Sequence, residues 1–277
     1  MKNFLRVFLV FLMVWISARS AIYLLPGDPA EFLVHEALVQ MDPAELRKRM
    51  DLDQSPVARV LSLPKNRSLI RNEEAIPLLF RAWKRTAILA FLSISIALPL
   101  TFFLLFFNFQ GGPRRSFAEL FSLILASIPI LVLGPILLRF LPFPNPILPA
   151  LTLAAYLTAF WYRTLARRLE RQLPTSPVNG ARALGFPELS IFWRTLLAPS
   201  LGGFIAFFGS QIGFLLNGSI LVETLFQWNG IGSVLSDAIL SRDYPVLEFG
   251  MTTAAILTLL AQQAGYILQS WWDPRIS

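Results

Sequence analysis

The chain has 277 residues, of which 55% are hydrophobic and only 15% charged, with a mean hydropathy of +0.58 and a formal charge of +7. Soluble domains carry about 25% charged residues, so this balance excludes an ordinary soluble domain and points to the membrane class. With no cysteine and one histidine, His35, disulfides, thiolate metal sites, cysteine nucleophiles and histidine metal clusters are excluded; His35 reads as a solvated or partly packed loop residue.

The N-terminus places Lys2 and Arg6 before an uncharged run at 7–18. That pattern fits a cleaved signal peptide, but apolar character resumes in Ala21-Ile-Tyr-Leu-Leu25 beyond Arg19. The resumption favours a retained span over 1–25, in which Arg19 lies near an interface and either snorkels or pairs within a bundle. Residues 26–85 carry 10 Lys+Arg against 9 Asp+Glu, which reads as a folded extramembrane excursion with short helices, one near residues 43–50. Its charges read as a solvated surface.

Further apolar stretches predict spans at 86–108 (with Pro99), 117–139 (with Pro129 and Pro135), 147–166, 198–222 and 249–272. The sequence therefore predicts an all-α membrane protein with six transmembrane helices in a single domain. A Pro-rich turn at 142–146 separates the third and fourth spans.

Orientation follows from the short loops. Residues 111–116 carry Arg114 and Arg115, and 163–194 carry six arginines against Glu170 and Glu188. The turn at 141–146 has no charge, and 223–248 has one arginine against four acids. Basic short loops stay in the cytoplasm, which places both termini and the 167–197 loop there, and 223–248 outside. Topology thus accounts for the basic excess, and no basic patch interleaved with aromatics argues for nucleic acid.

Four segments in order resemble one family. They are Leu25-Pro-Gly-Asp-Pro-Ala30, the stretch 178–199 (VNGARALGFPELSIFWRTLLAP), Val222-Glu-Thr-Leu-Phe-Gln-Trp-Asn-Gly-Ile-Gly232 continuing to Asp237-Ala-Ile-Leu-Ser-Arg-Asp-Tyr-Pro245, and Asp273-Pro-Arg275. Together with Leu148-Pro-Ala-Leu-Thr-Leu153 they resemble the integral-membrane permease subunits of ABC-type dipeptide/oligopeptide (and nickel) importers. The resemblance implies the ABC type I importer permease fold, with 167–197 as a cytoplasmic coupling-helix loop. Gly185 would permit the turn between two short helices. Ala181 and Ala183 would let a helix seat closely in an ATPase groove, Leu184 and Phe186 would anchor it, and Arg182 and Glu188 would supply rim charges. An interfacial helix lying on headgroups is the bland alternative. The chain departs from the family at Asn179-Gly180-Ala181, in place of acidic-Ala-Ala, and at Leu196-Leu197-Ala198-Pro199. It also lacks the Gly-Asp-Leu-Gly element common in the family's outer region.

By the same resemblance, 222–245 is an external re-entrant segment facing a binding protein, with Glu223, Trp228, Gly230 and Asp243 as gate residues and Arg242 and Asp243 as paired charges; a packed amphipathic cap is the alternative. Gln211, Asn217 and Ser219 are candidates to line a pathway, although Gln262 and Gln263 are polar too, and each could instead bond helix to helix.

Three function classes compete. A permease half needs no catalytic residues and no cofactor of its own; ATP and Mg would be bound by partner ATPases, since the chain has no phosphate-binding loop with Gly-Lys-Ser/Thr. An ion-coupled secondary transporter normally needs ionisable groups near the midplane, and the spans after the excursion have none deep in their runs. A membrane enzyme needs a paired or clustered catalytic set, which one histidine without cysteine does not supply. The permease reading implies alternating access in the cell inner membrane. Its implied partners are a homologous second permease in a heterodimer, ABC ATPases, an extracytoplasmic substrate-binding protein and membrane lipid, with no nucleic acid.

Overall fold

The computed structural model describes residues 2–24, 28–36, 40–50, 52–55, 58, 62, 66–71, 73–140, 146–173 and 176–272, with backbone alone at some helical positions, Asn217 among them. Residues 25–27, 142–145 and 273–275, which carry parts of the sequence motifs, lie outside the described residues. Every extended element among the described residues is a helix. These are α1 (Lys2–Leu24), α2 (Pro29–His35), α3 (Pro43–Arg49), α4 (Ala75–Gln110), α5 (Gly112–Ser127), α6 (Ile130–Phe140), α7 (Ile147–Gln172), α8 (Ser176–Ala183), α9 (Glu188–Ser190), α10 (Ala198–Leu225), α11 (Ile231–Leu240) and α12 (Tyr244–Trp272). A π-helical turn, Ile191–Leu197, joins α9 to α10.

Among the described residues two helices, Ala75–Gln110 and Tyr244–Trp271, are each long and apolar enough to cross a bilayer. At 1.5 Å per residue the first is about 54 Å long, well beyond a hydrocarbon core of about 30 Å. Its first turns therefore extend past the 86–108 run, carrying exposed Arg81, Lys84 and Arg85. The 117–139 stretch, expected as one span, forms two helices, α5 and α6, bent by 97° at a short break, the geometry of a broken span or a re-entrant loop. Proline at 129 cannot donate a backbone N–H and pushes the preceding residue out of the helical region; Ile128 sits at ψ 115°.

Apolar helices need internal partners for their hydroxyls. Ser93 donates to the Leu89 carbonyl (2.8 Å), Thr152 to Leu148 (2.9 Å), Thr252 to Glu248 (2.7 Å) and Thr258 to Ala254 (2.9 Å). Each bond runs back one turn and leaves no polar atom seeking water.

The chain packs as two compact units, one of Met1–Thr86 with Asn229–Leu260, the other of Ala87–Trp228 with Ala261–Ser277. In the first, small and branched residues interlock: Ala75, Leu78, Leu79 and Ala82 of α4 meet Ile231, Val234 and Ala238 of α11 and Val246 and Leu247 of α12. The excursion helices pack beside them. Asp28 caps α2 by accepting the Ala30 N–H at 2.9 Å and also binds Arg47, while Ala30, Leu33, Leu46 and Met50 close around Tyr244. His35, expected in a loop, is the exposed last residue of α2.

Buried charge ties this unit together. Arg19 pairs with Glu248 at 2.5 Å, both side chains 4% exposed, and also donates to Ser62 at 2.8 Å. Of the two expectations for Arg19, the structure shows pairing. The Asp243 carboxylate accepts from the Ser68 hydroxyl and from the Leu69 N–H (3.1 Å). The expected Arg242–Asp243 pair does not form: Arg242 lies over the Phe32 ring, 3.8 Å from its centre. Desolvation by burial raises the Asp243 pKa above its ordinary 3.8, opposed by the hydrogen bonds from Ser68, Leu69, Ile70 and Val246.

The second unit is built on α7, which packs against α5, α6, α10 and the π-turn. Leu157, Trp161, Leu165 and Leu169 of α7 are buried with Leu104 and Leu105 of α4 and Phe192, Leu196 and Leu197 of the π-turn. Phe192 meets Phe106 edge-on at 5.4 Å and Phe109 at 5.6 Å, so an aromatic web fixes the π-turn to α4.

Two expectations follow for the first unit. Glu248→Ala strands a buried guanidinium and is expected to cost about 3–5 kcal/mol, with Arg19→Met/Glu248→Leu recovering most of it, read by thermal unfolding in detergent. For Asp243, the folded state holds its proton to a higher pH than the unfolded chain does. Stability from this site is therefore greatest below pH 3.8 and falls as pH rises through the raised folded value. Asp243→Asn should flatten that slope in a series of unfolding curves against pH.

Candidate functional site

The 176–197 region departs from a plain loop through three local features. First, α8 lays Val178, 1% exposed, and half-buried Ala181 against the core of the second unit, three residues apart on one face. Ala181, expected to seat in a partner's groove, thus packs against the chain itself, while Ala183 is exposed.

Second, α8 ends in a Schellman cap. Gly185, at φ +73°, donates its N–H to the Arg182 carbonyl (3.0 Å), and the Phe186 N–H reaches the Ala181 carbonyl (3.2 Å). Left-handed backbone is open to glycine without the strain a β-carbon brings, and nothing lies within 4 Å of where that carbon would be. The expected turn at Gly185 is therefore present in the backbone.

Third, Arg182 and Glu188, expected as rim charges, face each other across the turn. Arg182 Nε donates to Glu188 Oε1 at 3.0 Å and Nη2 to Oε2 at 3.3 Å, and the guanidinium lies 5.4 Å from the centre of the Phe109 ring. The forked pair braces the turn, and the ring contact ties it to α4.

What the turn presents outward is apolar. Leu184 is 78% exposed and Phe186 53%. Leu189 and Trp193, which the sequence reading did not single out, add exposed surface at 54% and 45%. Their spacing of four residues was the available signal, masked because the π-turn changes which side of the helix each residue takes.

The other named residues occupy different surroundings. Gln211 and Ser219 lie on α10, half-buried and buried, one helical face with buried Leu215 between them. The side chain of Asn217 is outside the described residues. Glu223 is fully buried near the end of α10, and its carbonyl accepts the Trp228 N–H at 2.8 Å; Trp228 packs beside Leu89, Leu153 and Val222. Gly230 is buried at the start of α11, where its carbonyl accepts from the Ser233 hydroxyl at 3.0 Å. Glu223 and Trp228 belong to the second unit, Gly230 and Asp243 to the first.

Comparison with known proteins gives this arrangement a lineage. Residues 97–277, well over half of the chain, match the family described as the inner membrane component of binding-protein-dependent transport systems. The chain is 37% identical over 130 residues to the di/tripeptide transport system permease protein DppB of Pseudomonas aeruginosa (strain UCBPP-PA14), an alignment covering 47% of this chain and 39% of that protein. It is 24% identical over 271 residues to the nickel import system permease protein NikB of Staphylococcus aureus (strain MRSA252), covering 90% of this chain and 83% of that protein. The part of the chain that carries α7, the capped turn and α10 falls within the matched residues. The chain belongs to the family of inner-membrane components of binding-protein-dependent transport systems.

Proposed function

We propose that this chain is one permease subunit of an ATP-driven peptide importer and that the capped turn of 181–188 is where a cytoplasmic ATPase engages it. The observation that carries the reading is the exposed apolar trio Leu184, Phe186 and Leu189, held on a rigid turn by Gly185 and the Arg182–Glu188 fork. Exposed aliphatic and aromatic side chains on a short braced helix suit insertion into a groove, the helix-in-groove mode of recognition. An ATPase that closes on ATP would pull this turn, and α10, joined to it through the π-turn, would tilt with it. Alternation between inward and outward openings follows. ATP and Mg stay on the ATPase, and the chain needs no cofactor.

In this reading the chain crosses the inner membrane six times with both termini in the cytoplasm, supported by the loop charges. A homologous second permease completes the pathway as a heterodimer, with Gln211, Asn217 and Ser219 contributing polar groups to it. An extracytoplasmic binding protein delivers substrate at 223–248, where Glu223, Trp228, Gly230 and Asp243 form the gate segment. The named specificity of the DppB relative supports peptides as cargo. An ion-coupled transporter is disfavoured by the family assignment.

Two experiments test this. In the importer reconstituted with its ATPase, second permease and binding protein, Gly185→Val should strain the turn and lower substrate-stimulated ATP hydrolysis by roughly 5- to 30-fold. Phe186→Asp should release the ATPase in co-purification while the thermal midpoint of the chain stays put. Unchanged hydrolysis and co-purification in an intact complex would sink the docking reading. For topology, the cysteine-free background allows single thiols at Leu184 and at Asp237. An impermeant reagent applied to intact cells should label the Asp237→Cys chain and spare the Leu184→Cys chain.

A further inference from the structure

The α5–α7 side of the second unit holds a cleft of about 620 Å³ that the transport reading does not use. Its wall carries Arg163 and Arg167, one turn apart on α7 and both exposed. Neither has an acidic partner among the described residues; Arg167 Nε donates only to the Arg163 carbonyl, at 3.1 Å. The two acids of the cleft are already engaged. Arg115 donates to Glu119 at 2.7 Å through Nε and to Glu170 at 2.9 Å through Nη2. Arg115 is shared by the two acids and offsets one of their two charges, so with Arg163 and Arg167 the cleft and its bridging arginine carry a net charge of +1.

The floor adds a donor. Tyr162 is 2% exposed and lines the cleft, and its hydroxyl accepts from Asn108 Nδ2 at 3.0 Å, so its phenolic hydrogen retains the capacity to donate. Beside these groups, Leu120 and Leu123 of α5 are 58% and 48% exposed along the same wall. Two unpaired guanidiniums, a buried hydroxyl donor and an apolar flank match one kind of ligand: a phosphate ester with a hydrocarbon tail.

We propose that this cleft binds the headgroup phosphate of an anionic membrane phospholipid, with Arg163, Arg167 and Tyr162 on the phosphate and the acyl chain running along Leu120 and Leu123. Basic pockets between membrane helices on the cytoplasmic side suit anionic headgroups, and guanidinium forks suit phosphate oxygens. The placement at headgroup depth rests on the orientation proposed above, which puts both 111–116 and 163–194 on the cytoplasmic side. A bound lipid here would hold α5 against α7.

The test uses the full chain purified in mild detergent and exchanged into vesicles of phosphatidylcholine with or without phosphatidylglycerol, with bound lipid counted by native mass spectrometry. The chain should retain phosphatidylglycerol in preference to phosphatidylcholine. Arg163→Gln/Arg167→Gln should weaken retention by roughly 20- to 30-fold, at about one surface-arginine increment each. Tyr162→Phe, which keeps the ring, should weaken it several-fold, and Arg168→Gln/Arg171→Gln, off the cleft, should leave it within two-fold, on the order of the scatter between surface sites. Thermal unfolding of each variant confirms folding. Equal loss from the two arginine pairs would mean general surface attraction and overturn the site. Displacement by inorganic phosphate alone, or by a dipeptide, would overturn the lipid as occupant. The measurement needs no ATPase, so its failure is distinguishable from failure of the docking reading.

Discussion

Apolar helices with no water beside them must satisfy their polar groups from within, and much of this structure follows from that demand. Hydroxyls of Ser93, Thr152, Thr252 and Thr258 turn back onto their own helices. Charges that cannot do so are paired: Arg19 takes Glu248, and Asp243 collects donors from Ser68 and Leu69. These polar links give the first unit its register, because a slip of one residue would strand a buried charge at a cost of several kcal/mol. The excursion is thus joined to α11 and α12 by specific partners as well as by apolar contact.

The second unit answers a different demand, that of holding an exposed apolar turn still. A flexible loop carrying Leu184 and Phe186 would collapse them onto the nearest apolar surface. Here Val178 and Ala181 anchor the incoming helix, Phe192 anchors the outgoing one, and Gly185 supplies the backbone sign that lets both anchors hold at once. The π-turn places Phe192 inward and leaves Trp193 exposed on the next position. Ordering costs met inside the fold are costs a binding event does not face again.

Local features were legible in the sequence. The apolar runs marked α4, α10 and α12, and glycine at 185 marked the turn, because each signal is complete within a few residues. Pro129 was read only as a proline within a single span, because whether it bends a helix modestly or by 97° depends on packing that no local pattern encodes. Arg19 with Glu248, 229 positions apart, and Ser68 with Asp243, 175 apart, are contacts between distant segments, so the adjacent Arg242 was the natural but incorrect partner for Asp243. Ala181 was read by its size, whereas the side of α8 it lies on packs it against the core of its own unit. The Arg182–Glu188 fork escaped notice because a separation of six positions is not one that places side chains together on a helix or a strand; only the left-handed turn brings the two together.

That fork has an electrical consequence. By satisfying each other, Arg182 and Glu188 leave the turn with almost no net charge around Leu184 and Phe186. The fork itself therefore adds no net charge at the turn, and the field around it is set by the excess of arginines elsewhere in 163–194. For a partner seated on Leu184 and Phe186 as proposed, what the turn itself offers to discriminate by is shape: how deep a groove is, and whether it accepts an aromatic ring beside a leucine.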